Sequence, residues 1–416
     1  MATARSRPAG GGAGGGAGTS TAVRRVATRE RAGRPPDAPP RRRTWSRGPL
    51  WARIFVIIGA LLMMGSGGTI ICVKYHISRY AGEVDQRKFG GDAAVAHVDI
   101  KGEVNLLLVG IDERPDSTEG TRADSIIVLH IPADHRSAYL ISIPRDTWVE
   151  IPAFDNGVKE IRPYHDKING AYAAGGEGLT GTRARAKAVE LLALTIRDEW
   201  GLTFDGAAIV DFEGFQQVVG VLGGVDMYVD QETTSVHIGH TRSGEVKVPF
   251  RQYTRSDGST GLDPVAGVTP VVYHVGYQHL EPWQALDYVR QRETLPNSDY
   301  DRQRHQQQFI KALFKKVLSK DVLTNPALFN EVLDVVGKAM YIDDGGIDVE
   351  DWAFGMRSIG GDDLITVKTN NGTFNRSPDS SSAEALDQTT LDLLAAVRDE
   401  QVPAFLVAHP DLATSS

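Results

Sequence analysis

The sequence predicts an α/β fold, a central mixed β-sheet between helix layers, preceded by a disordered tail and one transmembrane helix. Three features predict it: β-branched or Leu-rich runs bounded by Gly, Pro and Asp between residues 105 and 143, amphipathic helical stripes from residue 183 onward, and an uncharged apolar run over residues 54–73.

The N-terminal segment accounts for an uneven charge. The 416 residues carry 45 Lys+Arg and 53 Asp+Glu, a net −8. Residues 1–53 hold twelve Arg, no Lys, and only Glu30 and Asp37 as acids, so they carry +10 and leave −18 for the rest. Gly-rich and then Arg/Pro-rich text has too little apolar surface to offset chain entropy, which predicts a disordered cytoplasmic tail. The run IFVIIGALLMMGSGGTIICV at 54–73 is long enough at about 1.5 Å per residue to cross a hydrocarbon core of ~30 Å. Its basic flank stays inside, placing everything after it on the extracellular side of a single-pass anchor in the cell membrane. Cys72, the single cysteine, lies within that span and excludes intrachain disulfides. An acidic outer portion argues against a nucleic-acid partner, which needs a basic face to neutralise phosphates.

Residues 74–103 are polar and mixed, a stalk below an extracellular domain at 104–400. The runs at 105–111, 125–131 and 138–143 read as strands covered on both faces. Residues 183–200 place Ala188, Leu191, Leu192 and Ile196 on one helical stripe that stops at Gly201. A second helix is expected at 212–222 and a strand at 225–230. Residues 231–275 are long and polar with short β runs, an insertion over the core. Helical text follows at 283–288 after Pro282, at 302–318 with Phe309, Ile310, Leu313, Phe314 and Val317 inward, at 327–358 and at 384–399. Residues 401–416 read as a C-terminal tail.

The common catalytic signatures are missing: no phosphate loop, no HExxH, no GxSxG and no GxGxxG. What remains is a set of Arg and Asp residues at predicted strand ends, where ligands of α/β sheets sit. Asp112 closes the first strand and Asp124 opens the second, so antiparallel pairing puts both at one sheet end. Two readings stand for them: ligands of a hard cation such as Mg²⁺, or turn caps. Arg114 and Arg122 flank the same turn. Arg145 leaves the third strand behind Pro144, with an ion pair to Asp146 as the plain alternative. Lys167 precedes a Gly-rich turn. Arg290 and Arg292, two apart in an extended segment, share a face and call for an anion if buried. Arg302 opens the long helix with Gln306 one turn on, a place that favours phosphate. Arg304 and His305 read as solvated. Bidentate Arg around a carboxylate-held cation suits a pyrophosphate.

The ordered motifs NLLLVGIDER, TRADSIIVLHI, LISIPRDTWVEIP, KINGAYAAGG, VDFEGFQQVVGVLGGVDMYVD, QHLEPWQALDYVRQRE and DYDRQRHQQQFIKAL resemble the LytR-CpsA-Psr family of cell-wall glycopolymer ligases. The resemblance implies an α/β/α sandwich and a Mg²⁺-dependent phosphotransferase. Such an enzyme moves a glycopolymer from a polyprenyl-pyrophosphate carrier to a peptidoglycan hydroxyl, leaving a phosphodiester. By motif, Asp112 and Asp124 resemble the Mg²⁺ ligands. Arg122, Arg145, Arg290, Arg292 and Arg302 resemble the pyrophosphate clamp, with Lys167 and Gln306 nearby. An apolar tunnel would take the prenyl tail, with Phe309, Ile310 and Leu313 either lining it or packing the core. His305 stands where many relatives have Arg, and the 231–275 insertion is longer than expected. Ala/Gly/Arg-rich text with this resemblance favours arabinogalactan or a related polysaccharide as cargo. Asp146 and Asp299 are candidate general bases. Rival readings are a polyprenyl-pyrophosphate pyrophosphatase and a non-catalytic receptor for lipid-linked glycans.

Overall fold

The computed structural model describes residues 102–112, 121–256, 260–343, 359–360, 363–380 and 382–414. The expected tail, membrane span, nearly all of the stalk and Arg114 lie outside these residues. Among the described residues no helix is long and apolar enough to cross a membrane.

A seven-stranded sheet organises the domain. Its strands are β1 (Val104–Ile111), β2 (Ala123–Ile131), β3 (Ala138–Ser142), β4 (Gly206–Val210), β5 (Met340–Asp343), β6 (Leu364–Val367) and β7 (Ala413–Thr414). They lie in the order β5-β4-β1-β2-β3-β6-β7. Pairs β1/β4 and β3/β6 are parallel and the other four antiparallel, so the sheet is mixed as expected.

Alternation along β1 divides the core. Leu107, Val109 and Ile111 face helices α1 (Ile168–Gly176), α2 (Gly181–Trp200) and α7 (Gln388–Arg398). Leu106 and Leu108 face the opposite way, toward Ile310 and Phe314 of α5 (Asp299–Val317). A two-residue period thus buries both faces of one strand, and the apolar runs needed no polar alternation because each face has a helix layer. Alongside α5 pack α3 (Phe212–Val221) and α4 (Pro282–Arg290), followed in the chain by α6 (Pro326–Ala339) against α3.

The predicted stripe of α2 is buried at all four positions, and the helix stops at Gly201 with φ +73°. That left-handed residue is the terminator glycine supplies at least cost. Helix α3 starts where Asp211 accepts a hydrogen bond from the Gly214 N–H at 2.8 Å.

Several expectations change. The Gly-rich text after Lys167 is a helix and not a turn. Its Gly175 sits so close to α2 that a Cβ would lie 2.3 Å from the Lys187 carbonyl oxygen, so glycine here serves helix packing. Residues 402–414 are no loose tail: α8 (Val402–Ala408) buries Val402 and Leu406, and β7 adds an edge strand. The text at 327–358 gives one helix and then strand β5, beyond which residues 344–358 lie outside the described set. The 231–275 insertion is a β-lobe, with strands 233–241, 246–247 and 268–273 in one sheet and 250–254 paired with 260–264 in a ribbon.

Candidate active site

One sheet end collects the charged side chains. Strand β1 delivers Asp112 just past its last residue. Opposite it, Gly110 pairs with Ser125 but Ile111 pairs with Ala123, leaving Asp124 as the extra residue of a β-bulge. A bulge re-aims the side chain it carries, which is why Asp124 leaves the β-ladder and meets Arg145. Arg145 itself follows β3 and Pro144 into a turn closed by the Thr147 N–H on the Pro144 carbonyl at 3.0 Å.

Helix α5 supplies the counter-charge. It begins at Asp299, three residues before the expected start, because Asp299 and Asp301 suit the positive end of the helix dipole. Asp299 accepts from Arg145 Nε at 2.9 Å and Arg302 Nη2 at 3.2 Å, with Arg292 Nη1 at 3.7 Å. Burial pushes the Asp299 carboxyl up, but Arg302, Arg145 and Arg292 together outweigh it and hold it below the usual carboxylate range. Arg302 is buried, also donates to the Asp124 carbonyl at 3.2 Å, and keeps its Nε without a partner. An unsatisfied buried guanidinium N–H is costly in the free protein and available to an anion.

Arg290 is the last residue of α4 and not part of an extended segment. The chain turns extended only at Gln291, which still brings Arg290 and Arg292 to one cavity. The Arg290 guanidinium lies over the Phe212 ring at 4.1 Å. The cavity holds about 390 Å³ and is lined by Arg145, Arg290, Arg292 and Arg302, by Asp112, Asp124 and Glu293, by Phe212 and Gln306, and by His237 and Gln252 of the β-lobe.

A second cavity of about 240 Å³ adjoins it and is almost wholly apolar. Phe309, Ile310 and Leu313 line it with residues of β1, β4, α3 and α4. Asp124, Phe212, Arg290 and Gln306 belong to both walls, so the apolar slot ends at the guanidinium cluster.

Of the sequence-predicted residues, Asp112, Asp124, Arg145, Arg290, Arg292, Arg302 and Gln306 come together. Arg122 and Lys167 do not. Arg122 hydrogen-bonds Asn169 at 3.4 Å and lines a separate polar cavity beside α1 and α2, and Lys167 pairs with Asp146 at 3.0 Å. His305 is fully buried and stacks on Tyr288 at 4.3 Å, while Arg304 pairs with Asp230 and Asp301, so neither is a solvated side chain. Sequence reading missed His237, Asp287 and Glu293. Glu293 was legible as the next residue of the YVRQR motif, whereas the other two depend on how the β-lobe docks.

Glu384 ties this end together. Its N–H donates to the Asp146 carbonyl at 2.9 Å, its carbonyl accepts from Trp148 at 2.8 Å, and its carboxyl accepts from Tyr300 of α5. Burial, with Asp146 and Asp299 adding to it, pushes the Glu384 carboxyl up to about 7 despite the Tyr300 and Asn370 hydrogen bonds. The folded state therefore keeps a proton the unfolded chain has released, so this contribution to stability is full below about pH 4.5 and is lost as pH rises through about 7. Glu384→Gln should remove that loss, on the order of 2–3 kcal/mol between pH 4.5 and 8, read as the difference between the two proteins in urea unfolding. Equal pH dependence in both would refute the assignment.

The chain is similar to known proteins over most of its length. The LytR_cpsA_psr family model matches residues 73–378. The cell wall biosynthesis protein LcpA of Corynebacterium glutamicum is 27% identical over 329 residues, 71% of this chain and 55% of that relative, so the chain spans about half the length of that protein. The polyisoprenyl-teichoic acid–peptidoglycan teichoic acid transferase TagU of Bacillus mycoides is 27% identical over 291 residues, 68% of this chain and 77% of the relative. The crystal structure of Bacillus subtilis TagV aligns with a TM-score of 0.46 at 20% identity, covering 73% of this chain and 98% of that one.

Proposed function

The chain belongs to the LytR-CpsA-Psr family, and from that premise we propose that it is a phosphotransferase that moves a glycopolymer from a polyprenyl-pyrophosphate carrier to a peptidoglycan hydroxyl. The observation that carries this reading is the junction of the two cavities: an apolar slot for a prenyl tail ends at four guanidinium groups. A pyrophosphate joined to a hydrocarbon chain on one side and a glycan on the other matches that sequence of environments. TagU, similar over 68% of this chain, carries the corresponding activity in its name, toward teichoic acid.

The chemistry is positioning and charge neutralisation. Arg145, Arg290, Arg292 and Arg302 meet the negative charge that grows on the bridging and leaving oxygens of the pyrophosphate, and the slot fixes the bond to be broken beside them. In this reading Asp112 and Asp124, which line the charged cavity, would hold Mg²⁺. Two carboxylates lining one cavity suit that cation, which is commonly held by one or two protein carboxylates together with substrate phosphates. Among the described residues no group of three or more His, Cys, Asp or Glu is arranged to hold a metal by protein ligands alone. When bound, Mg²⁺ neutralises phosphate charge. Residues 54–73 supply a membrane anchor in this reading, with the catalytic domain outside and arabinogalactan or a similar wall polysaccharide as cargo.

The test incubates the full chain with a short-chain prenyl-pyrophosphate glycan, Mg²⁺ and peptidoglycan fragments. A covalent phosphodiester adduct and released prenyl phosphate are expected. Free glycan phosphate without adduct would make the protein a pyrophosphatase, and binding without turnover a receptor. Chelation with EDTA should abolish transfer, and Asp112→Asn should raise the Mg²⁺ concentration for half-maximal rate by about tenfold or more, the scale on which site ligands tune metal affinity. A rate indifferent to EDTA would remove the cation from the scheme.

A further inference from the structure

The two carboxylates that sequence suggested as general bases are both committed. Asp146 is paired with Lys167 at 3.0 Å, and Asp299 is shared by Arg145 and Arg302. A different group faces the cavity.

His237, from the β-lobe, lines the charged cavity with 32% of its side chain exposed, and its Nδ1 lies 3.2 Å from Oδ1 of Asp287, whose side chain is 2% exposed. Asp287 is surrounded by donors: Ser235 Oγ at 3.0 Å and Gln291 Nε2 at 2.8 Å on Oδ1, and the Tyr273 hydroxyl at 2.7 Å on Oδ2. Surrounded by donors, the Asp287 side chain serves as an acceptor, and it accepts a further hydrogen bond from the imidazole Nδ1–H. Gln291 Nε2 also stands 3.0 Å from Nδ1 and 3.4 Å from Ser235 Oγ; we assign its two hydrogens to the Asp287 oxygens, Oδ1 at 2.8 Å and the main-chain carbonyl at 3.0 Å. The amide cannot be turned round, because its Oε1 accepts from the Val236 N–H at 3.0 Å. With Nδ1 protonated, Nε2 keeps its lone pair, and among the described residues it has no hydrogen-bond partner.

We infer that His237 is the general base for the acceptor hydroxyl, with Asp287 as the positioning residue that fixes its tautomer and steadies the imidazolium. The inference rests on the transferase reading above. In the step, the acceptor O–H gives its proton to Nε2 as its oxygen forms the new bond to the glycan-linked phosphorus. The bond from that phosphorus to the bridging oxygen breaks, and prenyl phosphate leaves with the electron pair. The imidazolium beside Asp287 then releases its proton to solvent. Positioned general bases contribute typically ~10²- to 10⁴-fold. Placing the base on the lobe gives the lobe a chemical role in meeting the acceptor.

The experiment uses the full chain with the same short-chain prenyl-pyrophosphate glycan and peptidoglycan fragments, comparing wild type, His237→Gln and Asp287→Asn across pH 5 to 9. The charged groups that line the cavity with His237 are Arg145, Arg290, Arg292 and Arg302, and Asp112, Asp124 and Glu293, with Asp287 behind the imidazole. The wild-type rate should fall toward acid pH, where a general base is protonated. His237→Gln should lower kcat by ~10²-fold or more and lose that acidic limb, while binding of the lipid-linked glycan stays within about threefold, which also reports that the variant is folded. Asp287→Asn should lower kcat and displace the limb. A His237→Gln enzyme within threefold of wild type, or one that keeps the limb, overturns the proposal. If wild type hydrolyses the substrate without forming adduct, the transferase reading falls and the same comparison judges His237 as base toward water. A wild type that turns over neither way overturns both.

Discussion

Arg290→Ala should lower glycopolymer transfer by about 10²- to 10³-fold, the scale on which one preorganised donor to a developing oxyanion counts. Of the four arginines, Arg290 is the one that lines both cavities. The variant should fold, because the residue closes α4 and rests on Phe212 from a half-buried position. Arg290→Lys should recover only part of the rate: the charge returns but not the planar fork that stacks on an aromatic ring and grips two oxygens. Transfer of labelled glycan measures the rate and a thermal melt checks the fold. An Ala variant within threefold of wild type would mean the phosphate sits elsewhere.

Asp299→Ala should cost about 3–5 kcal/mol of stability, the penalty for leaving buried charge without its partner. Arg302 is buried against this carboxylate, and Arg145, 17% exposed, is held between it and Asp124. The effect carries a pH signature. The Asp299 carboxyl is held below its ordinary value in the fold, so its stabilisation is present above the unfolded value of about 4 and is lost as pH falls through the folded one. Denaturant midpoints of the two proteins should therefore differ most near neutrality and converge in acid. A constant gap would show that the carboxylate acts through packing and not charge.

The strands that form the sheet centre were legible because β1, β2 and β3 are apolar on both faces. Strand β4 was not, since GAAIV is short and three of its five residues are alanine or glycine, and its place is fixed by parallel pairing to β1 a hundred residues away. At the site, acids and arginines that end strands could be read from sequence because strand ends define a common edge. Arg122 and Lys167 share the edge but diverge onto its other side, toward α1, a difference of facing that spacing does not encode. The start of α5 was misplaced by the same logic, as Asp299 belongs to the arginine cluster through contacts as much as 154 residues distant. His237 and Asp287 are fifty residues apart in the chain and meet only because the lobe returns to α4.

That return has a consequence for how the protein can change over time. The lobe is bolted at its root, where Ser235, Val236 and His237 on one strand and Tyr273 on another meet Asp287 and Gln291 at the end of α4. Its ribbon of 250–254 with 260–264 is exposed along much of its length, and Gln252 alone of the ribbon lines the charged cavity. Exposed ribbon residues other than Gln252 can therefore be exchanged without moving the guanidinium cluster, whereas a one-residue slip at the root would displace His237. The architecture separates an adaptable outer surface from a fixed inner one, so diversification of whatever the outer surface meets is open to drift while the phosphate chemistry is held in place.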